Sequence, residues 1–244
     1  MPYHDPLALK KIIKVAETVQ PDQIVQVGDL VDFPQVSQWS KGMAGEFDGT
    51  LQDHIDQVKD EFLSPLRRVA PRATILWKEG NHDSRLTTYR KKYSPATSSL
   101  RSTASAMEDE FELEKFGVEY VRDIRLIATH TKLLHGHEAP GYSSNLSAWG
   151  NKFRQRYGSQ FNYVFGHTHS PGLDSWAFGE NARVKNRWIM NAGSVMDPEH
   201  AKYVADGSVN WTMSFGFLRD DGKATHPDMI FMSNRKFYFE GNRY

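Results

Sequence analysis

Short polar clusters rich in Asp, Asn and His recur along the sequence, and each one follows a run of apolar residues. They read GDLVD at residues 28–32, GNHD at 80–83, HGH at 135–137 and GHTH at 166–169. A carboxylate can bridge two cations, an asparagine carbonyl is a hard oxygen donor, and imidazole nitrogens suit Mn, Fe, Zn, Ni and Co. These residue types therefore predict a transition-metal site with mixed nitrogen and oxygen ligands.

The composition limits what such a site can be. The chain contains no cysteine, which excludes disulfides and thiolate ligands and leaves His, Asp, Glu and Asn as the candidate ligands. Its 30 basic residues are balanced by 30 acidic ones, so the net attraction by which non-specific duplex binders hold nucleic acid is missing. Nucleic acid stays open as a substrate, although the charge does not indicate it.

Length and hydropathy predict one folded domain. The 244 residues, of which 39% are hydrophobic, suit a single α/β domain with a sizeable core. The sequence has no run of ~18 apolar residues that could span a membrane. Lys10, Lys11 and Lys14 interrupt the first hydrophobic segment, which argues against a signal peptide. We expect a soluble, cytoplasmic protein without a membrane partner, and the sequence does not indicate its oligomeric state.

Each polar cluster comes where a predicted strand ends. Apolar and β-branched runs predict strands at residues 23–27, 74–77, 132–134 and 162–165. Residues 7–19 and 51–66 have helical spacing, with Asp5 as the expected N-cap of the first helix and Pro65 as a kink or break in the second. Because ligands bind at the carboxyl ends of strands in layered α/β proteins, these elements would position the four clusters.

The order of these clusters resembles the calcineurin-like metallophosphoesterase family. The family pattern is D-x-H, G-D-x-x-D, G-N-H-D/E, H and G-H-x-H, and the last four of its five blocks are present here in order. The resemblance implies an α/β fold over residues 1–244 as a single domain. It implies a four-layer αββα sandwich of two mixed β-sheets flanked by helices, with a two-metal phosphoesterase centre.

The family pattern also implies a set of metal ligands. Asp29 would bridge the two metals, and Asn81, His135 and His167 would complete the shell of the second metal. His169 would bind the first. Mn²⁺ is the expected ion, with Fe, Zn, Ni and Co as alternatives. Two cations ~3.5–4 Å apart lower the pKa of a bridging water, so that a metal-bound hydroxide attacks phosphorus without a covalent enzyme intermediate.

The resemblance assigns further roles beside the metals. His82 would contact the phosphate and act as general acid for the leaving oxygen, and Asp83 would orient it. Asp32 would either hydrogen-bond to groups that bind the metals, without binding a metal itself, or simply cap a turn.

Two assignments have alternatives, and one segment is expected to be structural. His137 could bind metal in place of His135, although the family pattern favours the first histidine after the strand. Arg85 could steady a substrate phosphate or lie on a solvated helix face. The NAGS segment at residues 191–194 resembles a structural turn of the family and is expected to be scaffold.

The first family block, Asp-x-His, is missing, because the chain opens with MPYHDPLALKK. Either the printed start lies downstream of the true one, or the chain lacks the first strand. We favour the former, because deleting a central strand would expose unpaired edges on both neighbours. In both cases the first metal keeps only Asp29 and His169, so we expect about one tightly held metal per chain.

The substrate is predicted by exclusion. Ser/Thr protein phosphatases carry Arg-Gly after the second block and Arg before G-N-H, whereas this chain has Phe33-Pro34 and Glu79 there. The compact form with GNHDSR resembles small phosphodiesterases of bacteria and phages, including those that act on cyclic nucleotides. The alternatives are a phosphomonoesterase or nuclease of the same family, or a degenerate fold that serves as a binding module.

Overall fold

The computed structural model describes residues 1–42, 44–47, 49–97, 100, 106–139, 141, 143, 145–180, 183–197 and 211–244. The chain divides into two compact units. The first comprises Met1–Pro2 and Leu9–Arg122, and the second comprises Tyr3–Ala8 and Asp123–Tyr244. The single-domain interpretation stays a prediction. Throughout the described part of the chain, each helix is too short or too polar for a bilayer-spanning segment.

A parallel three-stranded sheet forms the centre of the first unit. Its order is β1-β2-β3, and its strands are β1 (Gln23–Gln26), β2 (Thr74–Lys78) and β3 (Val118–Val121). The central strand β2 is almost wholly buried, as expected for a parallel strand covered on both faces. Its Trp77 packs edge-on against Phe111 and Tyr120, with ring centroids 5.0 and 5.6 Å apart.

Two helices begin at side chains that cap their first backbone N–H groups. Helix α1 (Pro6–Val19) starts at the predicted cap, because the Asp5 carboxylate accepts hydrogen bonds of 2.9 Å from the N–H groups of Leu7 and Ala8. Helix α2 (Leu51–Val58) starts with a capping box formed by Thr50 and Asp53.

Pro65 does not break the second predicted helix. The helix passes from α2 through a π-helical turn (Lys59–Leu63) into α3 (Ser64–Val69). Proline has no N–H to donate and collides with the carbonyl four residues earlier, and a wider turn relieves both problems. Helices α4 (Arg85–Tyr93) and α5 (Ala106–Glu110) complete the described helices of this unit.

A mixed five-stranded sheet forms the centre of the second unit, in the order β4-β5-β6-β8-β7. Strands β5, β6 and β8 run parallel, and the edge strands β4 and β7 are antiparallel to their neighbours. The strands are β4 (Arg125–Ala128), β5 (Thr131–Leu133), β6 (Asn162–Phe165), β7 (Gly172–Phe178) and β8 (Lys185–Asn191). Helix α6 (Leu146–Tyr157) contributes Trp149 and Phe153 to the core beside this sheet.

Two small antiparallel ribbons follow in the second unit. They pair β9 (Ser214–Asp220) with β10 (Thr225–Phe231), and β11 (Tyr238–Phe239) with β12 (Asn242–Arg243). The chain thus has the α/β fold that its sequence predicts.

One arginine ties together the backbone that leads into β2 and β3. The Arg67 guanidinium on α3 donates hydrogen bonds of 2.8 to 3.3 Å to five carbonyls, those of Ala70, Pro71, Ala73, Phe116 and Gly117. These carbonyls belong to loops rather than to strand ladders, so the arginine supplies donors to them. The Ala70 carbonyl also accepts the Ala73 N–H at 3.3 Å.

We predict that Arg67→Leu lowers the free energy of unfolding by about 2–3 kcal/mol, because several charge-assisted hydrogen bonds are lost while part of the carbonyl set can rehydrate. Urea denaturation measures this change. The exposed neighbour Arg68 is the matched control, and Arg68→Leu should change stability by less than about 0.5 kcal/mol. Equal losses in the two variants would contradict the role given to Arg67.

Candidate functional site

In the first unit, the GDLVD and GNHD clusters follow the neighbouring parallel strands β1 and β2 and therefore meet at one sheet edge. The backbone N–H of His82 donates to Asp29 Oδ1 at 2.8 Å. Gly80 permits this approach. A Cβ atom at Gly80 would lie 2.1 Å from Asp29 Oδ1 and 2.3 Å from the Asp29 nitrogen, so a side chain there would displace the Asp29 loop.

The fully buried Asp83 carboxylate holds both loops in place. Its oxygens accept backbone N–H bonds from Asp29 and Gly80 at 2.8 Å and from Val31 at 3.1 Å. The indole N–H of Trp77 lies 3.3 Å from Oδ2. Asp83 thus connects the loop after β1 with the loop after β2.

The carboxylate that contacts the His82 ring is Asp32, whereas sequence reasoning gave that place to Asp83. His82 Nδ1 forms a short hydrogen bond with Asp32 Oδ1. Burial raises the pKa of Asp32, but the hydrogen bond with His82 and the charges of His82 and Arg85 outweigh burial and hold this pKa below its ordinary value. Asp32 is therefore well suited to remain ionised beside the imidazole.

Arg85 completes a network around His82 that the sequence analysis missed. Its Nη1 donates to the Asp32 carbonyl at 2.5 Å and to Asp32 Oδ1 at 2.9 Å, and its Nη2 lies 3.2 Å from His82 Nε2. The Arg85 side chain is only 16% exposed, which differs from the solvated helix face considered above. The sequence signal for this contact is that Arg85 follows His82 by three residues and starts a helix. That spacing places the two side chains on one side.

In the second unit, two histidine side chains meet at the ends of the parallel strands β5 and β6. His135 Nε2 and His167 Nδ1 are 3.2 Å apart, and His135 is fully buried. Gly136 makes room for this pair, because a Cβ at that position would lie 2.9 Å from the His167 Cβ.

Glu138 shapes the turn that carries His135. Its carboxylate accepts N–H bonds from His135 at 3.1 and 3.2 Å and from Gly136 at 2.7 Å. The His137 side chain is 36% exposed, with its Nδ1 3.9 Å from Glu138 Oε2. This geometry favours His135 over His137 as the partner of His167.

The GHTH turn is braced from the NAGS segment. His167 and His169 both have left-handed backbone, with φ of 69° and 56°. Between them, Thr168 Oγ1 accepts a hydrogen bond of 2.5 Å from the Asn191 amide, and Asn191 Oδ1 accepts the Gly193 N–H at 3.0 Å. The His169 ring packs edge-on against Trp211 at 4.8 Å between centroids.

The donor set of the second unit fits a divalent transition metal. Two nitrogens that each lie ~2.1 Å from one ion are ~3.0–3.4 Å apart in octahedral or tetrahedral geometry, and the His135–His167 nitrogens are separated by 3.2 Å. The predicted oxygen donors Asp29 and Asn81 belong to the first unit, where Asn81 lies between Gly80 and His82 on the loop after β2.

Comparisons with known proteins agree with this chemistry. A family profile described as calcineurin-like phosphoesterase matches residues 3–188. The gene 54 protein of Mycobacterium phage D29 is 30% identical over 243 residues, which cover 99% of this chain and 94% of the relative. The gene 54 protein of Mycobacterium phage L5 is 30% identical over 242 residues, covering 99% and 93%. The chain therefore belongs to the calcineurin-like phosphoesterase family.

Proposed function

We propose that this member of a family of metal-dependent phosphoester hydrolases acts on small phosphodiesters of the nucleotide type. The observation that carries the proposal is the His135–His167 nitrogen pair, 3.2 Å apart at the carboxyl ends of two parallel strands. Such a pair suits a divalent ion of the borderline class. Family membership supports hydrolysis as the reaction.

The proposed metal ligands are Asp29, Asn81, His135, His167 and His169, as the family pattern implies, and Mn²⁺ is the proposed ion. When bound, divalent ions supply an activated water as nucleophile and neutralise charge on the phosphate. Asp29 has a position well suited to this role, because its carboxylate already accepts the His82 N–H at 2.8 Å and its loop is fixed by Asp83.

The chain's own residues would handle the leaving group. His82 donates a proton from Nε2 to the departing oxygen, while Asp32 holds Nδ1 and stabilises the protonated ring. The Arg85 guanidinium lies 3.2 Å from Nε2, beside the path of that proton. When substrate displaces the guanidinium from the ring, Arg85 can contact a phosphate oxygen.

The charge around His82 supports a diester over a monoester. A phosphodiester carries one negative charge, whereas a monoester carries nearly two at neutral pH. Arg85 lies beside His82, and its charge is already offset by Asp32 at 2.9 Å. A singly charged substrate therefore requires less cationic compensation from the protein.

The proposal is tested by comparing bis(p-nitrophenyl) phosphate with p-nitrophenyl phosphate in Mn²⁺. We expect kcat/KM to favour the diester by at least about tenfold, or ~1.4 kcal/mol of transition-state stabilisation. The reverse preference would make the chain a phosphomonoesterase. Turnover of neither ester above a His82→Ala control would identify a binding module instead.

We predict that His82→Ala slows diester hydrolysis by ~10²–10⁴-fold, as is usual for the loss of a positioned acid. The loss should be smaller for p-nitrophenyl than for phenyl leaving groups, because the more acidic phenol needs less protonation as it departs. Asp32→Asn should show the same leaving-group dependence with a smaller loss. A uniform loss across leaving groups would indicate that His82 binds phosphate rather than donating a proton.

We predict that His135→Ala weakens metal binding by at least about 100-fold, because it removes a proposed direct ligand. Losing a residue that only hydrogen-bonds to a ligand usually costs ~10–100-fold, and the loss of the ligand itself should cost more. His137→Ala is the matched control and should retain the metal. Elemental analysis after equilibrium dialysis against Mn²⁺ measures both. Retention in His135→Ala together with loss in His137→Ala would transfer the ligand role to His137.

A further inference from the structure

Helix α4 carries two exposed aromatic side chains that the proposed reaction does not use. Tyr89 and Tyr93 are 41% and 54% exposed, and their ring centroids are 4.6 Å apart. Single exposed apolar side chains are common on protein surfaces, whereas two rings in contact form a platform. The pair therefore offers an aromatic surface on which a flat ligand can stack.

The helix that carries these rings is also strongly basic. Its sequence RLTTYRKKY contains four basic residues and no acidic one, and no residue between Asp83 and Glu108 is acidic. Lys92 Nζ lies 5.0 Å from the centroid of the Tyr93 ring. The hydrogen bond with Lys92 and the charges of Lys92 and Lys41 hold the pKa of Tyr93 below its ordinary value. Two lysines thus act on one exposed ring.

Two of the three acidic residues of the neighbouring helix α5 are offset by arginines. Glu110 Oε1 pairs with Arg90 Nη2 at 2.6 Å, and Glu108 Oε1 pairs with Arg122 Nη1 at 2.5 Å. The two lysines that follow Arg90 in α4 are exposed. They give this end of the helix a positive charge that suits an anionic partner.

The two rings continue a row that begins beside His82. Arg85 is the first residue of α4, and its Nη2 lies 3.2 Å from His82 Nε2. Residues four apart are neighbours on a helix surface, so Arg85, Tyr89 and Tyr93 form one ridge. At ~1.5 Å per residue this ridge is ~12 Å long, which is about the length of three nucleotides at the ~3.4 Å spacing of a stacked strand.

We propose that the α4 ridge, together with Lys91 and Lys92, binds single-stranded nucleic acid. Bases stack on Tyr89 and Tyr93, and the lysines neutralise phosphates. An acidic peptide would pair with the lysines but would leave the rings unused, and a duplex hides the faces of its bases. The ridge would bring the diesters of a single strand toward His82, a consequence that rests on the proposed function.

Fluorescein-labelled oligothymidylate of about ten nucleotides is the probe, and fluorescence anisotropy in EDTA measures its binding to the full chain without any contribution from metals. We expect saturable binding by the wild type. Tyr93→Ala should weaken it at least about fivefold and Tyr93→Phe should retain it, because stacking needs a ring. Tyr238→Ala, which removes a side chain that is 72% exposed in the second unit, is the control and should bind as the wild type does.

The role of the lysines is measured through the salt dependence of binding. The logarithm of the binding constant falls with the logarithm of salt concentration, with a slope of ~0.7 for each phosphate that is neutralised on a single strand. Lys92→Gln should reduce this slope by about that amount. Lys10→Gln, at an exposed position on α1, is the matched control and should leave the slope unchanged. Equal slopes in the two variants would contradict phosphate binding on α4.

Three results would overturn the binding surface. These are no saturable binding of the strand by the wild type, binding that Tyr93→Ala leaves unchanged, and equal affinity for the same strand in a duplex or for poly-glutamate. Because Tyr93 is exposed, its variants should remain folded, which circular dichroism checks. Binding that depends on Tyr93 in a protein without diester turnover would retain the surface and reject the proposed function. Turnover of bis(p-nitrophenyl) phosphate without strand binding would do the reverse.

Discussion

The arrangement of the first unit's polar loops depends on one buried charge, the Asp83 carboxylate. A buried carboxylate is costly unless donors surround it, and here three backbone N–H groups and one indole N–H do so. Because two of these donors, Asp29 and Val31, lie beyond β1 and one, Gly80, lies beyond β2, the same contacts that stabilise the charge fix the two loops against each other. The positions of Asp29 and His82 follow from that constraint.

In the second unit, hydrogen bonds from side chains hold the turns that carry the histidines. Glu138 accepts the backbone N–H of His135, and the Asn191 amide donates to the Thr168 hydroxyl between His167 and His169. Non-glycine residues in the left-handed region are strained and persist only where their surroundings hold them. The bracing by Asn191 gives a physical reason why both histidines retain that backbone.

The sequence predicted the strands that end in polar clusters because their runs of apolar and β-branched residues are short and bounded by polar turn residues. β6 coincides with the predicted residues 162–165, and β1 and β2 differ from prediction by one residue. Strand β7 was not predicted, since its residues alternate between half-buried and exposed and include Asp174 and Ser175. Helix α5 ends at Glu110, and Glu112 just beyond it adopts left-handed backbone with φ of 51°.

Within the candidate site, residue types were predictable and pairings were not. The order of the motifs indicates that His82 has a carboxylate partner, but the sequence does not decide between Asp32 and Asp83. Only the fold determines that Asp32 faces the ring while Asp83 faces the backbone. Arg85 was ambiguous for the same reason, since a basic residue on a helix is usually solvated and tertiary contact decides the exception.

The absence of a Cβ at Gly80 has a consequence for how a cation would be captured. The Gly80 α carbon forms a wall so close to Asp29 that even one methyl group would overlap its Oδ1, and the His82 N–H fixes that same oxygen. The carboxylate thus has little rotational freedom left. In the metal-ligand role proposed for Asp29, its conformational entropy would be lost during folding rather than at the moment an ion arrives, as in a preorganised ligand. Affinity at this position should then depend less on ordering the side chain than on removing water from the incoming ion.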